Sequence, residues 1–93
     1  DAKMITNPRF QRFALDLAEK HQIPVQQGVR NGGATNAAAL HLAGQGIPTI
    51  VIGIPVRYAH THWGISSVED VENSIRLARA ILSNLNEEII TGF

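Results

Sequence analysis

The sequence predicts an α/β domain in which helices and strands alternate as α-β-α-β-α. Three observations predict it. Two stretches repeat apolar residues every three or four positions, as one face of a helix requires. Two shorter runs are β-branched and bounded by proline or glycine, as strands are. The two kinds of segment also alternate, which places the strands parallel with a right-handed crossover helix between them. Two strands make no self-sufficient sheet.

Asn7-Pro8 opens the first helix, with Asn as cap and Pro at the first helical position. Phe10, Phe13, Leu17 and Ala18 then mark an amphipathic helix over residues 8–20. The run 23–29 reads as the first strand. Asn31 to Asn36 is a turn-rich loop, with Thr35 or Asn36 placed to cap the second helix. Residues 37–45 are dominated by Ala and Leu, strong helix formers. Gly46 suits the left-handed position that ends a helix. Residues 47–56 form a near-continuous apolar run, the pattern of a parallel strand covered on both faces. Ser66 and Ser67 offer caps, with Glu69 and Asp70 three residues on. Val68, Val71, Ile75, Ala78, Leu82 and Leu85 then predict a helix over 67–86.

Composition narrows the function classes. Ninety-three residues make one small domain or a piece of a larger one. Eight basic and eight acidic side chains cancel, so there is no basic field to favour nucleic acid or an anionic membrane. The absence of cysteine from these residues excludes disulfides and thiolate chemistry within them. It also suits a cytoplasmic location. No apolar stretch is long enough for a spanning helix. The start, Asp1-Ala-Lys-Met, has no initiating methionine and no signal pattern, which suggests a truncated chain.

Four histidines are candidates for chemistry. His21 at the end of the first helix suits a cation facing the helix dipole, and His41 reads as a helix histidine bonded to a neighbour or facing solvent. His60 and His62 differ because they follow the buried run, beside Arg57, Tyr58 and Trp63. The margin of an open α/β sheet is where ligands collect. On extended backbone both rings point to one side. A His-x-His pair lacks the further ligands that zinc needs, so spacing alone leaves metal binding and a plain loop both open. The glycine-rich stretch 28–37 precedes a helix start but lacks the spacing of a phosphate loop. A tight capped loop, or one that holds a small polar substrate group, are its readings.

The segments Asn31-Gly-Gly-Ala-Thr-Asn-Ala-Ala-Ala-Leu-His41, Gly46-Ile-Pro-Thr-Ile-Val-Ile-Gly-Ile-Pro-Val-Arg-Tyr-Ala-His60-Thr-His62 and Val68-Glu-Asp-Val71 carry something more specific. The chain resembles the carboxy-terminal end of the co-catalytic metallo-aminopeptidases of the glutamyl and tetrahedral aminopeptidase family, often labelled endoglucanases. That resemblance implies that residues 1–93 are the last part of a three-layer α/β/α, zinc-peptidase-like catalytic domain. It implies a cytoplasmic enzyme several times longer, working on peptides with two divalent metal ions such as zinc or cobalt and assembling into large hollow homo-oligomers.

In the family the histidine of Arg-Tyr-x-His is the last metal ligand, and it maps here onto His60. His62, Gly32, Gly33 and Arg57 are the candidates for touching substrate or orienting the ligand. The remaining ligands and the general base belong upstream of Asp1, so the segment alone holds no catalytic residue and is expected to be inactive. Where the family commonly has Thr-Asp-Ala, this chain has Thr35-Asn36-Ala37. The rival expectation is a non-catalytic α/β module for interaction or for a small ligand.

Overall fold

In the computed structural model, which describes residues 6–28, 35–44, 46–57 and 62–93, the first helix is α1 (Pro8–Lys20). Its bounds are those the periodicity predicts. The Asn7 side chain accepts hydrogen bonds from the backbone N–H of Arg9 and Phe10, both at 3.0 Å. Those bonds satisfy two donors that the helix itself leaves unpaired.

The end of α1 decides where the chain goes next. Gln22 takes φ 56°, and its N–H bonds the Glu19 carbonyl at 3.2 Å. The N–H of Ile23 reaches back to the Ala18 carbonyl at 2.8 Å. This is a Schellman closure with glutamine at the left-handed position. It folds Ile23 back onto Ala18, and both are buried in the same cluster.

The second helix, α2 (Ala37–Leu40), is shorter than the expected 37–45. Thr35 Oγ1 accepts from the Ala37 N–H at 3.3 Å, while Asn36, at the cap position, makes no side-chain cap bond. Beyond Leu40 the chain turns through Gly44 at φ 58° and Gly46 at φ 94°, so the glycines break the helix earlier than its alanines suggest. The expected left-handed Gly46 is observed.

The third helix, α3 (Val68–Asn84), is started by Ser67, whose hydroxyl accepts from the Asp70 N–H at 3.4 Å. Ser66 does not cap; its hydroxyl donates to the Pro55 carbonyl at 2.8 Å. Leu85 leaves the helix in extended backbone, short of the expected end, and the chain then forms a fourth helix, α4 (Glu87–Thr91). Asn86 caps α4 by accepting from the Ile89 N–H at 2.8 Å. The sequence reading missed α4, although an asparagine followed by two glutamates is its start signal.

Helices α1 and α3 pack together over Ala14, Leu17, Ala18, Ile23, Leu77 and Ile81, with Phe10, Phe13, Ile50 and Leu85 against them. Phe93 closes one end. Its ring stacks on Phe10 at 4.8 Å and meets Phe13 edge-on at 5.7 Å. Asn7 Nδ2 donates to the Phe93 carbonyl at 3.1 Å.

The described residues contain no named strand; their sole β pairing is an isolated antiparallel bridge between Arg57 and Ile65. The runs expected as strands, 23–29 and 47–56, form no ladder with each other across their described residues. A ladder needs a neighbouring backbone to accept its bonds. Val51, Ile52, Ile54 and Val56 are all exposed, so both faces of the second run lack the cover that its composition demands.

Candidate functional site

The site is built on the exit of the apolar run. Arg57 and Ile65 exchange both backbone bonds, the Arg57 N–H to the Ile65 carbonyl at 2.7 Å and the Ile65 N–H to the Arg57 carbonyl at 3.0 Å. The bridge brings the two ends of the 58–64 connection together. Below it, the Ser66 hydroxyl ties the start of α3 to Pro55. The end of the apolar run and the cap of α3 are therefore tied together at both Arg57 and Pro55. The sequence reading placed His60 and His62 at a strand margin but missed this closure. Gly64 followed by β-branched Ile65 was the available signal.

His62 is exposed on that connection, next to Trp63, which is 83% exposed. Arg57 is exposed at its base. His60, the expected metal ligand, lies outside the described residues, as do Gly32 and Gly33 of the expected substrate loop. Between the glycine-rich loop and α2, the described Thr35 and Ala37 supply the bond that caps the helix.

Of the other two histidines, His41 has a ring contact within its own helix turn and His21 is bonded through its backbone carbonyl. The Nδ1 of His41 lies 2.9 Å from the Ala37 carbonyl one turn back, which leaves Nε2 as its outward nitrogen. The carbonyl of His21 accepts from Arg76 at 3.0 Å, joining the end of α1 to α3.

Among the described residues no group of three or more His, Cys, Asp or Glu side chains is placed to hold a metal ion. Glu69 and Asp70, the nearest acidic residues along the chain, lie in the first turn of α3, where they complement the helix dipole. Their position accounts for them without a ligand. The described residues thus do not by themselves supply a metal donor set.

Residues 1–77 match the M42 glutamyl aminopeptidase family. The chain is 36% identical over 88 residues to the glutamyl aminopeptidase of Lactococcus lactis subsp. cremoris, covering 95% of this chain and 24% of that protein. It is 35% identical over 80 residues to the lysyl aminopeptidase of Pyrococcus furiosus, covering 85% of this chain and 23% of that protein. Among solved structures it superposes on the TET aminopeptidase of a marine sediment archaeon of the Thaumarchaeota with a TM-score of 0.94 at 38% identity, covering 97% of this chain and 25% of that one. An aminopeptidase from the archaeon Desulfurococcus kamchatkensis gives a TM-score of 0.92 at 32% identity, covering 98% and 25%. These likenesses are consistent with an α/β peptidase domain. The chain spans about a quarter of the length of the relatives it matches.

Proposed function

Since the chain belongs to the M42 glutamyl aminopeptidase family, we propose that it serves as the carboxy-terminal part of a metal-dependent aminopeptidase that removes N-terminal residues from peptides. One observation supports the reading most: the family match runs through the Arg57-to-His62 connection that the Arg57–Ile65 bridge and the Ser66–Pro55 bond anchor. A ligand on a mobile loop would lose orientation entropy at every binding event, and a clamped base reduces that cost.

The role proposed for this segment is narrow. His60 provides one imidazole nitrogen to a divalent ion, zinc or cobalt, whose other donors and whose partner ion are held by polypeptide beyond these residues. The described donor set does not by itself fit a metal, so no step of the reaction is assigned to it. When bound, a pair of such ions polarises a peptide carbonyl and activates water. His62, Gly32, Gly33 and Arg57 are the candidates for contacting the peptide or orienting the ligand. The layering proposed for the whole domain is α/β/α, with 47–56 as one of its parallel strands. Cytoplasmic location and homo-oligomeric assembly belong to the same proposal and rest on the family resemblance.

The test is hydrolysis of aminoacyl anilides by the full-length protein with Zn²⁺ or Co²⁺. His60→Ala lowers kcat/KM by a factor of about 10² or more, on the scale of a lost electrostatic stabiliser, and lowers bound metal per chain. An unimpaired variant defeats the ligand assignment. The segment 1–93 alone shows no turnover, since one imidazole makes no catalytic metal site. A non-catalytic module would instead show no stoichiometric metal binding by the full-length protein.

A further inference from the structure

The first turn of α1 holds two things at once. Asn7 Oδ1 accepts from the Arg9 and Phe10 N–H groups, while Asn7 Nδ2 donates to the Phe93 carbonyl at 3.1 Å. Arg9 has its N–H in that cap and its guanidinium on the Gly92 carbonyl at 2.7 Å. Phe10 has its N–H in the cap and its ring stacked on Phe93, the two planes 14° apart. Asn7, Arg9 and Phe10 thus form the cap of the helix and also the clamp on residues 92–93. Phe13 adds an edge-on contact one turn further on.

The clamped segment is secured at its two ends. Leu85 packs against the α1–α3 core and leaves α3 in extended backbone, and Asn86 continues extended. Helix α4 follows, buries none of its residues and packs on no other helix. Residues 86–93 therefore run as a strap from Leu85 to the clamp at Phe93. The clamp and the cap share one carboxamide. When Asn7 swings away, two N–H groups of α1 and the Phe93 carbonyl lose their partner together. When 92–93 leave, the Arg9 guanidinium and the Phe10 ring lose the contacts that hold that turn in place. Hydrogen bonds linked through common groups stand or fall together, and such groups open as local units. We infer that the cap of α1 and the tip of the 86–93 strap are one conformational latch, opening as a unit apart from the α1–α3 core, so that a shift at the start of α1 is felt at Phe93 and the reverse. None of these contacts depends on the peptidase reading.

The experiment reads hydrogen exchange at single amides of the full-length protein, with low denaturant added to separate local from global opening. The N–H groups of Phe10 and Phe93 share one opening that is nearly indifferent to denaturant and occurs more often than that of Leu77 and Ile81. Phe93→Ala speeds exchange at Arg9 and Phe10, whose own bonds it does not touch, by about tenfold or more. Arg9→Met, at an exposed position, speeds exchange at both Phe10 and Gly92 by roughly threefold to tenfold, the scale of one lost hydrogen bond. Where loss of the Phe93 ring also moves Leu77 and Ile81, Arg9→Met decides. Release of 92–93 with unchanged exchange at Arg9 and Phe10 overturns the latch, because cap and clamp are then independent. Exchange of Phe10 and Phe93 only through the denaturant-sensitive opening of Leu77 and Ile81 also overturns it, and assigns the strap to the core.

Discussion

Gln22 shows how one residue governs the packing of its neighbours. It occupies the left-handed region at φ 56°, where a Cβ is crowded by backbone. The cost is offset by two closing hydrogen bonds and by burial of Ile23. Gln22→Gly keeps the closure and removes the crowding. Less the greater unfolded-state freedom of glycine, it should raise stability of the full-length protein by about 0.5–1 kcal/mol, read as a shift in denaturant midpoint at constant slope. Asn7 makes the opposite case. Asn7→Ala removes an acceptor from two N–H groups and a donor from the Phe93 carbonyl, and should cost about 1–2 kcal/mol. Hydrogen exchange at Arg9 and Phe10 should rise with it. Asn7 was legible in the sequence because a cap, its helix and the following proline are neighbours. Gln22 was not, because glycine is the usual residue there and only the return of Ile23 to the core selects the conformation. His60 is legible as a candidate only through the family resemblance. Its chemistry depends on donors that no spacing within these residues records.

At the scale of elements, local periodicity was enough for the two long helices, α1 and α3, but not for the short helices or for strands. The bounds of α1 follow from Asn7, Pro8 and the spacing of Phe10, Phe13 and Leu17, all within the helix itself. The body of α3 is legible for the same reason, but its period does not say which of its apolar residues meet α1. Leu77→Ala, inside the α1 contact, should cost about 2–5 kcal/mol in any oligomeric state. Leu82→Ala, at a position 74% exposed, should cost far less. Denaturant midpoints of the two variants at constant slope check the difference. The apolar run 47–56 has the composition of a strand, yet pairing is a long-range property: the ladder partner is a backbone elsewhere in the chain or beyond it. The early end of α2 was set by Gly44 and Gly46, whose positive φ outweighs the helix propensity of its alanines.

For the whole molecule, the balance of buried and exposed surface is the informative quantity. The described core of α1 and α3 is six small or aliphatic side chains with four half-buried neighbours, while Leu42, Ile47, Val51, Ile52, Ile54, Val56 and Trp63 are exposed. Burial at about 25 cal/mol per Å² has to overcome a conformational entropy cost of roughly 1–2 kcal/mol per ordered residue. A core this small leaves little margin over that cost. The exposed run cannot contribute until something covers it. Isolated residues 1–93 should therefore exchange the amide protons of 47–56 at nearly unprotected rates, bind an apolar dye and associate as concentration rises. In the full-length protein the same amides should be slowed by several orders of magnitude, because each acquires a ladder partner and a covered face at once. The prolines at 48 and 55 lack amide protons, so the signal comes from Thr49 through Ile54. Equal exchange in the two forms would show that the run is a surface segment, and the proposed parallel sheet that seats the Arg57-to-Ile65 connection would have to be abandoned.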